Sequence, residues 1–262
     1  MASSKLLSLA LFLLLLTHAT ATTFDFPTFH KEDKNRLILQ GNATISSGGR
    51  LRLTGVGSNE DPRVDSMGRA FYSTPIQIRD STGNLASFDN KFTFIIRANN
   101  AGHSAYGLAF ALVPVGSEPK RKQEYLGLFP DAHTVVWCST PSATVLKSTS
   151  TPTRLAQRGF AISTNTTEKT DVQITYESPK KNLRVVLHFT NSNVKYDFNA
   201  PLYLENDVDR SVSVGFSATS GLKEETTETH DVLSWSFSSK FEPFYVKDQK
   251  SEGSNILLNQ IL

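Results

Sequence analysis

KFTFIIRA, residues Lys91 to Ala98, sets Phe92, Phe94 and Ile96 at alternate positions, with Lys91, Thr93 and Ile95 between them. Successive side chains of a strand point to opposite faces, so the stretch reads as a β-strand packed on one side. The same period of two recurs in NRLILQGNATIS (35–46), RLRLTG (50–55), RAFYSTPIQI (69–78), YGLAFALVPV (106–115), DVQITYE (171–177), LRVVLHF (183–189), SVSVGFSA (211–218) and HDVLSWSFSS (230–239). Each run is bounded by Gly, Pro, Asn or Asp, and helical apolar spacing is nearly absent. The pattern predicts an all-β sandwich whose core draws much of its volume from 17 Phe.

Working outward, the chain has 262 residues, 39% hydrophobic and 20% charged, a globular composition sufficient for one large domain. Residues 1–21 place Lys5 before an apolar run from Leu6 to Leu16 and end in Ala19-Thr20-Ala21, the small-x-small pattern of a secretory leader cut near Ala21. That run is too short to span a bilayer, and no later segment is longer, so no membrane span is expected. Residues 22–262 form the expected domain, with no repeat or linker to divide it. Loss of the leader removes only Lys5, leaving 26 Lys and Arg against 25 Asp and Glu, a net charge of +1. No basic stripe is present, which argues against nucleic acid as a partner. A single cysteine, Cys138, excludes an internal disulfide framework. Asn42-Ala43-Thr44 and Asn165-Thr166-Thr167 are N-glycosylation sequons, in keeping with the secretory route. The tail KDQKSEGSNILLNQIL (247–262) turns from polar to apolar, and its last six residues either dock on the sandwich or fray.

LILQGNATISS, VDSMGRAFYSTPIQIRDSTGNLASF, SAYGLAFALVPVG, YLGLF, SVSVGFSATSG and ETHDVLSWSFSSKF resemble the legume lectin family over most of residues 24–262. Within it the chain is similar to the bean seed group of phytohaemagglutinin, arcelins and α-amylase inhibitor, and most like an arcelin. The resemblance implies a non-catalytic jelly-roll β-sandwich. It also implies a sugar site in which an Asp in A-D-G-L-A-F accepts sugar hydroxyls, steadied by calcium behind it. Here that position is Tyr106, a bulky phenol. The next loop of the family carries two glycines before Y-L-G-L-F, letting backbone approach the sugar; this chain has Gln123 and Glu124. The family's transition metal and calcium are held by an E-F-D-T strand followed by Asn and a further Asp, because hard cations need several converging oxygens. WCST, from Trp137, stands there instead.

Residues 136–167 break the pattern of their surroundings. Reading the codons from Val136 one base earlier forces Val from Trp137-Cys138 and permits V-V-F-D-T-F-S-N-R followed by I-D-V-N, the text of a bean lectin relative. The stretch therefore reads as frameshifted against the family. In either frame the position of the metal-binding Glu is apolar, Trp or Val. As written, WCSTPSATVLKSTSTPT (137–153), with Pro141 and Pro152, is expected to pair poorly as strand, and Cys138 reads as an incidental thiol.

No catalytic constellation emerges. His30, His103, His133, His188 and His230 lack metal-ligand spacing and a nucleophile context. His230-Asp231 reads as a polar edge beside a core Trp235, and Glu224, Glu225 and Glu228 as a solvated acidic loop. The amylase-inhibitor pattern requires other residues at Asn100, His103 and Val208-Asp209-Arg210. The expected function is that of an arcelin-like seed storage and insecticidal defence glycoprotein. Its metal ligands are lost and its sugar binding is weak or altered, toward complex glycans or glycoproteins. An amylase inhibitor and a working lectin are the alternatives. A homodimer and deposition in the protein storage vacuole of the seed, by the secretory route, complete the expectation.

Overall fold

The computed structural model describes residues 21–100, 106–120, 126–128, 133–140, 143–148, 156–159 and 168–241; of residues 138–140, 143–148 and 156–159 it describes the backbone. Sixteen strands run in chain order among them: β1 Thr22–Phe26, β2 Leu37–Gly41, β3 Thr44–Ile45, β4 Leu51–Arg52, β5 Met67–Tyr72, β6 Ile76–Gln77, β7 Ala86–Ala98, β8 Gly107–Pro114, β9 Val135–Thr140, β10 Ala143–Ser148, β11 Ala156–Gly159, β12 Thr170–Glu177, β13 Asn182–Phe189, β14 Val194–Pro201, β15 Ser211–Thr219 and β16 Glu228–Phe241. Sheet A has the order β14-β13-β12-β7-β16-β4-β3, with β1 also on β16; sheet B has the order β11-β10-β9-β8-β15-β5-β2, with β6 also on β15. Every pairing is antiparallel. Among the described residues helix is confined to short turns such as Leu204–Asp207, and none is long and apolar enough to cross a membrane.

The alternation seen in KFTFIIRA decides which face is which. Phe92, Phe94 and Ile96 are buried in the core between the sheets, with Lys91 exposed on the other side of β7. From sheet B the same core receives Leu108, Phe110 and Leu112 of β8 and Val212, Val214, Phe216 and Ala218 of β15. Aromatic rings tie the two layers: Phe92 meets Phe216 at 4.9 Å and Trp137 at 5.6 Å, and Phe216 meets Trp235 at 4.8 Å, all edge-on. Edge-to-face contact sets the positive rim of one ring against the negative face of the next, and adds about 0.5–1.5 kcal/mol per pair to the burial itself. Trp235 Nε1 donates to Asn90 Oδ1 at 2.8 Å, so the indole is buried without stranding its donor.

Two sequence expectations need correction here. The stretch beginning at Val136 pairs well: β9 runs antiparallel to β10 over six residues, Ala143↔Thr140 to Ser148↔Val135, and β10 continues onto β11. Pro141 and Pro152 both lie outside the described residues. Period-two reading also passed over β1 and β14 as strands. In β14 only Phe198 and Ala200 are buried, too short an apolar alternation to register.

Candidate functional site

Tyr106 immediately precedes β8 and has φ +73°, in the left-handed region that bulky residues rarely occupy. Its half-buried ring packs on a second apolar cluster, on the outer face of sheet B: Phe71 of β5, Ala109, Ala111 and Val113 of β8, Val136 of β9, and Leu126 and Leu128 of the overlying turn. Strand parity builds this face. Leu108 and Phe110 point to the main core, so Ala109 and Ala111 point away; Val135 and Trp137 likewise point inward, which turns Val136 toward Tyr106. Of the two apolar residues that could stand at the family's metal-binding Glu, Val136 is the one on the site side. Trp137 belongs to the inter-sheet core.

The turn at 126–128 is fixed by Ser217, whose Oγ donates to the Leu126 carbonyl, and by Lys120 N–H, which donates to the Gly127 carbonyl at 3.0 Å. Leu126 has φ +51° and Gly127 φ +66°; a Cβ on Gly127 would lie 2.6 Å from Met67 Sδ, so the position demands glycine on two counts. Arg69 is fully buried beside this turn, its guanidinium 4.7 Å from the Phe71 ring and its Nη2 donating to Ser117 Oγ at 2.9 Å. A hard divalent cation takes about six to eight oxygen ligands. The side chains of this apolar cluster offer a single oxygen, the Tyr106 phenol, and by themselves do not make up such a ligand set. Gln123 and Glu124, expected to obstruct the sugar approach, lie outside the described residues, as does Asn165. Asn42 is exposed beside β3, with Oδ1 accepting from Ser66 Oγ at 3.1 Å. The Cys138 backbone pairs with Val145 and Ala109, and its side chain lies outside the description.

His230 and Glu228 overturn their sequence readings. Both are fully buried, and they point into the sandwich from β16 opposite Ile96 and Ala98. Glu228 Oε1 accepts the Gly107 N–H at 2.9 Å and lies 2.9 Å from His230 Nε2. The site loop is thus anchored from behind by a carboxylate that the acidic-loop reading had assigned to solvent. Glu224 and Glu225 are exposed as expected. Asp231 points outward, where it accepts from Arg52 Nε at 3.0 Å and Arg50 Nη1 at 3.2 Å. Although burial opposes the charge, hydrogen bonds to Glu60 and Asp231 hold the Arg52 guanidinium well above its ordinary value. Among the described residues no three His, Cys, Asp or Glu side chains gather as a metal-ligand group. A shallow groove of about 390 Å³ crosses the outer face of sheet A past Lys91, Thr93, Asp171 and His188. It is floored by side chains that already bond one another, as Thr93 Oγ1 does to Asp171 Oδ1 at 2.6 Å.

The legume lectin domain matches residues 21–146 and 142–253. Arcelin-5A of Phaseolus vulgaris is 60% identical over all of both chains, and alpha-amylase inhibitor 1 of the same species is 46% identical over all of this chain and 99% of its own. The solved structure of arcelin-5, a lectin-like defense protein from Phaseolus vulgaris, superposes with a TM-score of 0.80 at 57% identity, covering 86% of this chain and 100% of that one. These relatives are lectin-like proteins and inhibitors rather than enzymes. With two antiparallel sheets, a site loop at the head of β8 and relatives matched along its whole length, the chain belongs to the legume lectin family.

Proposed function

We propose that this chain is an arcelin-type seed storage and defence glycoprotein that deters insects and does not grip sugars through a bound cation. The observation that carries the proposal is the apolar cluster of Val136, Leu126, Leu128 and Tyr106, which stands where a sugar-binding relative needs ionised oxygens. A phenol at position 106 supplies one weak acceptor in place of a carboxylate, so residual binding would be weak and directed at complex glycans or glycoproteins. Similarity to a lectin-like defense protein supports the defensive role. The leader at 1–21 and the exposed sequon at Asn42 support passage through the secretory route to the storage vacuole, with a glycan on Asn42 and, by sequence, on Asn165. A dense core with short turns would slow digestion by gut proteases, making the protein both reserve and poor food.

Retention on immobilised glycans with and without chelator, run beside digestion in larval gut extract, tests the reading. Calcium-dependent retention, or rapid digestion, would contradict it. The 46% identity to alpha-amylase inhibitor 1 keeps a second reading open. Against it, Asp209 and Arg210 are exposed in a sequence unlike the inhibitor's, and amylase inhibition at nanomolar concentration would restore it.

A further inference from the structure

We propose that the oligosaccharide on Asn42 lies along the neighbouring Arg63–Val64 segment and covers the exposed apolar pair of Val64 and Leu222, so that the chain's own glycan caps the Tyr106 end of the sandwich. The inference rests on the reading above that Asn42 is glycosylated. Asn42 follows Gly41 at the end of β2, and both it and Thr44 of the sequon are exposed. Asn42 Oδ1 accepts from Ser66 Oγ at 3.1 Å and from Met67 N–H at 3.4 Å, which turns Nδ2, the atom that carries an N-linked sugar, away from them. Ser66 Oγ in turn accepts the Gly55 N–H at 2.6 Å. The first sugar therefore leaves the surface from a side chain whose direction the fold has already set.

Gly55 sets what stands next to that side chain. Arg63 N–H donates to the Gly55 carbonyl at 3.0 Å, and a Cβ on Gly55 would lie 3.5 Å from Arg63 Cδ and 3.8 Å from Asn42 Cβ. The stem of Arg63 thus runs beside Asn42, and such a stem offers apolar contact while its charged head stays in water. One residue on, Val64 is 50% exposed; Asp65 N–H donates to the Gly221 carbonyl at 2.8 Å and brings up Leu222, 49% exposed. A pyranose ring presents a face of C–H groups, and its N-acetyl group a methyl, which gain by leaving water against this strip. Sheet register fixes the end of the sandwich. Gly41 pairs with Gly68, and Thr219 with both Met67 and Gly107, so Asn42 and the site loop share one end, three strand spacings or about 15 Å apart. A glycan spread over Val64 and Leu222 meets the rim of the Tyr106 loop and hinders any other glycan that approaches it.

The test starts with mass spectrometry of the Asn42 peptide in protein purified from its native tissue. Bare Asn42 there would remove the glycan reading and this proposal with it. With Asn42 occupied, the rate at which phenylglyoxal modifies exposed Arg63 is measured against that of Arg210, exposed at the opposite end of the sandwich. Thr44→Ala abolishes the sequon while keeping Asn42 and its bonds to Ser66 and Met67, and Thr44→Ser retains the sequon. The cap predicts that Arg63 reacts about threefold faster or more, relative to Arg210, in Thr44→Ala, and at the wild-type rate in Thr44→Ser. Enzymatic release of the glycan from the folded wild type should give the same increase, so the comparison does not depend on how the variant folds. An Arg63 rate that is the same with Asn42 occupied and bare, or an equal rise at Arg210, would overturn the proposal. Slow reaction in both forms that speeds up on dilution would also overturn it, by giving the strip to a second copy of the chain.

Discussion

Val136→Glu puts a carboxylate at the one of the two candidate positions for the family's metal-binding Glu that faces the site, and its cost separates an apolar plug from an ion cage. Val136 is completely buried among Phe71, Ala109, Ala111, Val113, Leu126 and Leu128. Truncation to Ala removes two methyl groups' worth of contact and leaves a small cavity, a loss of about 2 kcal/mol. Glutamate adds volume to a packed face and buries an ionised group without a partner, so the expected loss is about 3–5 kcal/mol at neutral pH. Burial raises the new carboxyl's folded value above its unfolded one. The charge-burial part of the penalty is therefore absent below the ordinary glutamate range, grows as pH rises through it, and is complete above the raised folded value, while the overpacking remains at every pH. Urea unfolding of wild type, Val136→Ala and Val136→Glu at acid and neutral pH, with calcium and with chelator, measures all of this. A Val136→Glu protein as stable as wild type in calcium, and weakened by chelator, would refute the account of the site.

Other expectations concern the scaffold that positions the site. Asp231→Asn leaves the buried Arg52 with Glu60 alone and should cost about 2–4 kcal/mol, with most of that lost again as coupling in a double-mutant cycle with Arg52→Met. At Glu205, burial works against ionisation, but the Lys181 hydrogen bond and charge outweigh it and bring the carboxyl below its ordinary value. Its contribution is present above the unfolded glutamate value and lost as pH falls through the folded one, so Glu205→Gln should flatten the acid side of the stability curve. Gly127→Ala meets both a left-handed backbone and Met67 Sδ and should destabilise by about 1–3 kcal/mol. Gly83→Ala, also left-handed but with open space around it, should cost less in the same thermal melts.

Strands with a long buried alternation were readable from sequence because the pattern is the packing: Phe92, Phe94 and Ile96 face the core for the reason they alternate. His230 was read as a polar edge beside Trp235, and parity alone does not correct that reading: counting back by twos from buried Trp235 reaches Asp231 and Thr229, which sets His230 on the outside. A β-bulge between Val232 and Ser234 inserts one residue and reverses the parity, so His230 and Glu228 point inward and Asp231 outward. Nothing in residue type announces a bulge, and the polar character of Glu228 argued for solvent until its partners were seen. Pairing of β9 with β10 was missed for a different cause. Ladder bonds join backbones, and neighbouring strands can template a segment whose own side chains alternate poorly. Tyr106 was legible as a departure from the family's Asp. Its apolar surroundings were not, since Phe71, Val136 and Leu126 come from three separate parts of the chain.

The most direct measurement is the calcium and transition-metal content of the protein purified from its native tissue, paired with melting before and after chelation. Carbon packed behind Tyr106 predicts no stoichiometric metal and an unchanged melting temperature. One calcium and one transition ion per chain, with a melting temperature that falls on chelation, would contradict it.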